Sequence, residues 1–251
     1  MCDDGDVPVR LVLWDIDQTL IDTRGMGRLV YERVFSRITG VALRELAALQ
    51  HGNTELDTVH STLTSHGLVP SEELVYDMLA ALAEGFGAAR AELAERGRVL
   101  PGALEALTAL TGLSTVRQSV LTGNTRAVAE IKVRAFGLDP YVDLRLGAYG
   151  DDHRDRPALV AFARDRAATH FGRSLDPPEI LLVGDTPNDV TAALTTGAQI
   201  VAVASGAFSV QELRDAGAPT VLATLAELLP LAPTLFGAGD EVAAADEVPA
   251  G

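Results

Sequence analysis

Short uninterrupted apolar runs recur along the chain. Leu11 to Trp14, ending in Asp15, is the first; Ile180 to Val183 and Ile200 to Ala204 repeat it, and Val116 to Leu121 is a more polar version. Runs of this length read as strands buried on both faces, as in a parallel sheet. The later runs each lead into helical periodicity, over Thr125 to Phe136, Asp189 to Thr196 and Val210 to Ala216. That alternation predicts an α/β fold with a doubly wound, Rossmann-like parallel sheet. Between the first and second runs the pattern changes: Arg28 to Ile38, Leu43 to Leu49, Leu56 to His66 and Glu72 to Glu95 are helical, with no strand-like run among them. An all-helical domain, residues 25–98, is therefore expected inside a core domain made of residues 1–24 and 99–234, with glycine at both ends suiting a hinge. Pro101 and Gly102 mark the return to the core, followed by a helix over Ala103 to Leu110. The tail, residues 235–251, is rich in Ala, Gly and acids and is predicted to be disordered.

Composition narrows the chemistry. With 251 residues, 47% hydrophobic and 22% charged, the chain is globular. Its formal net charge is −15, and seven acids (Asp3, Asp4, Asp6, Asp240, Glu241, Asp246, Glu247) lie in the termini with no basic residue among them. A net-acidic body without Lys/Arg blocks argues against nucleic acid and anionic membranes as partners, yet leaves room for a local pocket for a small anion. Cys2 is the only cysteine, so neither an intrachain disulfide nor a thiolate zinc cluster can form. An acidic N-terminus, and no apolar run near the ~18 residues of a membrane span, predict a cytoplasmic protein. Arginine outnumbers lysine 19 to 1, the one lysine being Lys132.

Three strand ends carry candidate chemistry. The first runs into Asp15-Ile-Asp17-Gln-Thr-Leu20, and residues two apart on a strand share a side, so both carboxylates can converge at its carboxyl end. Turn carboxylates hydrating a strand end would look the same. The second runs into Leu121-Thr122-Gly123-Asn124, where a hydroxyl precedes a helix start whose free N–H groups can grip an anion; an ordinary helix cap is the alternative. The third runs into Gly184-Asp185-Thr-Pro-Asn-Asp189. Asp15, Asp17, Thr122 and Asp185 thus reach one sheet edge, where open parallel sheets bind ligands. Clustered carboxylates need a cation, and oxygen-only ligands point to Mg2+.

In this ordered set, with a basic residue in Asp155-Arg156-Pro157, the sequence resembles the haloacid dehalogenase superfamily, in its subgroup with a helical cap. The stretch Val203 to Ala218 is similar to the ending of phosphoglycolate-phosphatase-like members. The resemblance implies a Mg2+-dependent phosphatase acting on a small-molecule phosphate monoester. Asp15 would be the nucleophile that forms an aspartyl-phosphate, and Asp17 would protonate the leaving oxygen and then activate water. The metal would be held by Asp15, the backbone carbonyl of Asp17 and Asp185, with Asp189 in support. Thr122, Gly123 and Asn124 would hold phosphoryl oxygens, and a cation would offset the charge in transfer.

The superfamily most often uses a lysine for that cation. Lys132 lies only ten residues past Thr122, about two turns into the following helix, which is expected to carry it away from the loop amides. Arg156, thirty-four residues past Thr122, is the expected cation, although Arg154 and Arg164 lie nearby. Gln18 stands where the family most often has glycine. In the insert, His51-Gly-Asn53-Thr54 looks like the cap loop that faces the site in related phosphatases, making His51, Asn53 and Thr54 candidate substrate contacts. The insert has no lysine for a Schiff base, which excludes phosphonate cleavage, and Asp17 with Asp185 disfavours carbon–halogen hydrolysis. A phosphosugar mutase of the same superfamily is the main alternative, and a non-catalytic phosphometabolite-binding module is a further one.

Overall fold

The structure, a computed structural model, describes residues 10–46 and 52–236. In chain order it contains β1 (Arg10–Trp14), β2 (Ile21–Asp22), α1 (Met26–Thr39), α2 (Glu55–Ser65), α3 (Glu72–Ala88), α4 (Arg90–Arg96), β3 (Arg98–Val99), α5 (Ala103–Thr111), β4 (Val116–Val120), α6 (Arg126–Ala135), α7 (Arg156–Phe171), β5 (Ile180–Gly184), α8 (Pro187–Thr196), β6 (Gln199–Val203), α9 (Val210–Asp215), β7 (Thr220–Leu222) and α10 (Ala232–Phe236). Five strands form one parallel sheet in the order β4-β1-β5-β6-β7. Alternation along each strand sends Val12, Trp14, Leu181, Val183 and Val201 to one face, under α5 and α6. Leu11, Leu13, Ile180, Leu182 and Ile200 go to the other, under α7, α8 and α9. Both faces are covered, which is why these strands read as unbroken apolar runs.

The register decides where the site falls. Trp14 pairs with Val120 on one side and Val183 on the other, so β1, β4 and β5 end level with one another. The chain leaves β1 toward β4 and then crosses back to β5, so the order reverses around β1. Clefts open at such switch points, at the carboxyl ends of the strands.

The insert, α1 to α4, leaves the core through β2 and returns through β3. These two short strands pair antiparallel, Ile21 with Val99 and Asp22 with Arg98, and an Arg98–Asp22 ion pair of 3.2 Å joins the two chain crossings. Its own apolar centre contains Val30, Phe35, Leu63, Met78, Leu82 and Leu93, and Val128 of α6 belongs to the same cluster. The cap therefore rests on α6.

Three local expectations are corrected. Leu43 to Leu46 is irregular rather than helical, and the rest of that segment lies outside the described residues. The stretch from Glu72 to Glu95 breaks at Ala89 into α3 and α4. Gly85 and Gly87 weaken the end of α3, and Gly85 is required because a Cβ there would come within 2.9 Å of Val30. In the tail, Leu235 and Phe236 belong to α10, and residues 237–251 lie outside the described residues. The edge strand β7, only three residues long, has no apolar run to announce it.

Candidate active site

The carboxyl ends of β1 and β5 bring Asp15, Asp185 and Asp189 together. One oxygen from each lies within 4.8 Å of the others, and all three side chains are buried. Arg156, the first residue of α7 and also buried, is the cation among them. Its Nη2 lies 3.0 Å from Asp15 Oδ1 and 2.6 Å from Asp189 Oδ1, and its Nε donates to the same Asp189 oxygen at 3.0 Å. Asp189 is further held by the Thr186 hydroxyl at 2.7 Å, in the reciprocal cap that starts α8. Asp185 receives only the Thr19 hydroxyl on Oδ1, at 3.2 Å, and its Oδ2 is buried with no partner. Burial, reinforced by neighbouring carboxylates, raises the pKa values of both Asp15 and Asp185.

One guanidinium facing three carboxylates leaves negative charge over, and the orphaned Asp185 oxygen marks where a cation fits. Space is kept for it: a Cβ on Gly206 would stand 1.9 Å from that oxygen. Asp15, Asp185 and Asp189 form an oxygen-only group of the kind that suits Mg2+, and the Asp17 backbone carbonyl has no hydrogen-bond donor against it among the described residues.

Asp17 itself stands apart. Its carboxylate receives Lys132 Nζ at 2.8 Å on Oδ1 and 2.6 Å on Oδ2, and the Asn124 amide at 2.7 Å. This corrects the expectation for Lys132. Helical side chains lean toward the N-terminus, so from two turns into α6 the long stem reaches back to the loop rather than away from it. The signal was present in the sequence: Lys132 shares the stripe of Val128, Ala129 and Val133 on the buried face of α6, and a charge on such a stripe needs a partner.

The phosphate-binding candidates divide. Thr122 is buried at the end of β4; its oxygen accepts from the Asn124 amide at 2.8 Å, and its own proton has no acceptor among the described residues. Asn124 spends its side chain on Asp17, Thr122 and Lys132. Gly123 must be glycine, since a Cβ would meet the Asn53 carbonyl at 2.0 Å. That approach is how the insert seats: Glu55 N–H donates to the Gly123 carbonyl at 2.7 Å, and Arg156 donates to the Gly52 carbonyl at 3.0 Å.

His51 lies outside the described residues. Asn53 lines the cleft, with its amide held by Asp57 and Asn188. Thr54 is buried, donates to the Arg154 carbonyl at 2.8 Å and caps α2. Arg154 pairs with Asp57 across the seam at 2.7 Å. Gln18 adopts φ 61°, the left-handed region that explains the family's preference for glycine there.

Between core and insert lies a cleft of about 280 Å³. Asp15, Asp17, Thr122 and Arg156 line it from the core; Arg28, Tyr31, Glu55, Thr58 and Phe86 line it from the insert. Glu55 has no side-chain partner among the described residues, and burial pushes its carboxyl up to about 7 against the opposing field of Lys132. The motif pattern did not single it out.

The family model for haloacid dehalogenase-like hydrolases matches residues 12–194, more than half of the chain. The chain belongs to that family. It is similar to "Probable phosphatase IndB" of Dickeya dadantii, 29% identical over 141 residues, which is 56% of this chain and 58% of that protein. The match thus spans just over half the length of that curated relative. The fold is shared with a hydrolase from Pseudomonas syringae (TM-score 0.67, 22% identity, 88% of this chain and 96% of that one). It is shared equally with CbbY from Rhodobacter sphaeroides, solved in complex with phosphate (TM-score 0.67, 21% identity, 88% and 96%). No helix among the described residues is long and apolar enough to cross a membrane.

Proposed function

We propose that this hydrolase is a Mg2+-dependent phosphatase that cleaves a small-molecule phosphate monoester through an aspartyl-phosphate. The observation that carries the reading is the difference in surroundings between two carboxylates. Asp15 is set against Arg156 at the orphaned acid cluster, and Asp17 is held outside it at the mouth of the cleft.

Asp15 would attack phosphorus with a carboxylate oxygen while the bond from phosphorus to the ester oxygen breaks, and Asp17 would give its proton to that departing oxygen. In the second half, water attacks phosphorus and loses a proton to Asp17, the bond to Asp15 breaks, and inorganic phosphate leaves. Arg156 would face the charge that gathers on the phosphoryl oxygens, and the Thr122 hydroxyl and the Gly123 amide would donate to them, joined by the Asn124 amide once it leaves the Thr122 oxygen it now meets at 3.3 Å. Asp15, Asp185 and the Asp17 carbonyl, with Asp189 in support, would hold a magnesium ion, which when bound would supply positive charge against the phosphoryl group. The leaving group would face Glu55, Thr58 and Phe86, a mixed polar and aromatic wall in a small volume.

A panel of sugar, polyol, carboxylate and aryl phosphate monoesters, assayed with Mg2+ and with excess chelator, tests this. Phosphate release that needs Mg2+ and vanishes in Asp15→Asn is expected. Release undiminished by chelator, an isomeric sugar phosphate in place of free phosphate, or phosphate trapped on another residue overturns it.

A further inference from the structure

Lys132 is the chain's only lysine, and the structure buries it at the reaction cleft. Its three ammonium donors are all spent there: two on Asp17 at 2.8 and 2.6 Å and one on Asn124 Oδ1 at 2.7 Å. Asn124 in turn donates to Asp17 and to Thr122, which closes a network from the phosphate loop to the carboxylate. Among the described residues no other cation is recorded against Asp17. The ammonium also lies 5.0 Å from the centre of the Phe86 ring, and Phe86 belongs to α3 of the insert. Glu55 of α2 adds a carboxyl whose pKa burial raises, with the field of the same ammonium opposing that rise.

Burying an ammonium costs several kcal/mol, and a buried ion pair rarely stabilises a fold better than an apolar side chain of similar size. Stability is therefore a poor reason for lysine at a position whose helical neighbours are Val128, Ala129 and Val133. Geometry offers a better one. Asp17 keeps 36% of its side chain open to the cleft, whereas its lysine partner keeps 5%. The carboxylate is thus presented to a reactant from a rigid mount instead of being sequestered.

We propose that Lys132 is the positioning residue of the acid–base carboxylate: with Asn124 it clamps Asp17 at the cleft mouth, and through Phe86 the clamp depends on the seated insert. The proposal rests on the acid–base role given to Asp17 above. Lys132 keeps its three protons throughout; the proton that moves is the one Asp17 gives to the departing oxygen and regains from water. The aromatic wall beside the ammonium belongs to the insert, so the clamp is built from both parts of the molecule.

The test compares esters that differ in their need for an acid. p-Nitrophenolate leaves without a proton, whereas an alkoxide does not. In Lys132→Met, kcat/KM should fall about 10²-fold for an alkyl phosphate and less than about 10-fold for p-nitrophenyl phosphate, the signature of a displaced general acid. In Lys132→Ala, added ethylammonium should restore part of the alkyl phosphate rate. Equal losses for both esters, with no rescue, would make Lys132 a structural or phosphate-binding residue and overturn the proposal.

A second readout needs no turnover. Protein labelled with 15N-lysine has one side-chain ammonium signal, which should exchange its protons slowly and should shift and broaden in Asp17→Asn. A signal that exchanges like free lysine, or ignores that substitution, overturns the clamp whatever the activity. If the signal responds but the wild-type protein hydrolyses neither ester, the phosphatase reading has failed, and the acid–base work claimed for the clamp falls with it.

Discussion

Asp15 and Asp17 are two residues apart on one chain and stand in opposite surroundings. Asp15 sits in a buried crowd of three carboxylates served by one guanidinium, with a neighbouring oxygen left unpartnered. Asp17 receives both an ammonium and an amide and keeps a third of its side chain open to the cleft. The first environment is unfinished without a cation and lies where a phosphoryl group would arrive. The second is complete and lies where a leaving group would depart. Under the proposed mechanism these different surroundings would suit the two carboxylates to two different tasks.

The largest effects should come from the two carboxylates themselves. Asp15→Asn should abolish turnover and Asp17→Asn should nearly do so, yet their stabilities should move apart. Asp15→Asn relieves repulsion and should leave the metal-free Tm unchanged or higher. Asp17→Asn leaves a buried ammonium short of its counter-ion and should cost about 2–3 kcal/mol. Thermal melts of both variants decide this, and equal shifts would erase the contrast.

Next comes Arg156. Arg156→Ala should lower kcat roughly 10²- to 10³-fold, the scale of losing one preorganised charge-stabilising donor. Arg154→Ala, which breaks only the seam contact to Asp57, should cost far less. If Arg154→Ala is the crippled variant, the cation facing Asp15 has been misassigned. Arg156→Lys separates charge from geometry, because a lysine cannot bridge Asp15 and Asp189 with a planar fork.

Glu55 should give a smaller effect with a definite sign. Its folded pKa is raised from 4.5 to about 7, so the folded state disfavours the ionised form. That penalty is absent below pH 4.5, grows through the interval and is complete above 7. Glu55→Gln should therefore stabilise the protein by about 1–2 kcal/mol at pH 8 and hardly at all near pH 4.5, the carboxyl's access to the cleft holding the gain below the full burial value. A gain equal at both pH values would mean that Glu55 is not buried as ionised carboxylate. Smallest of all, Gln18→Gly should raise stability by about 0.5–1 kcal/mol, because only glycine takes φ 61° without strain. A loss instead would show that the Gln18 side chain contributes to the turn after Asp17.

The sequence by itself determined four of the five strands of the sheet and the edge that carries the site. Unbroken apolar runs can only be strands covered on both faces, and each run's last residue fixes which side chain emerges at its end. Asp15, Thr122 and Asp185 therefore met as soon as β1, β4 and β5 were placed side by side. Most of the inserted helices were legible from their period, although Leu43 to Leu46 is irregular and the stretch from Glu72 breaks at Ala89, and Arg156 was legible from its match to the family's basic residue. Only the tertiary structure decided what faces what. A helical period says that Lys132 shares a stripe with Val128 and Val133; it does not say that Phe86 covers that stripe or that Asp17 waits at its end. Thr54 and Asn53 read as substrate contacts because their loop, near a helix start, looks like the family's cap loop, but their hydrogen bonds to Arg154 and Asn188 are long-range facts. Glu55, one residue further on, escaped notice because nothing local distinguishes a helix-start carboxylate in water from one turned into a cleft. Local patterns are set by neighbours in the chain, whereas partners for buried charge are set by neighbours in space.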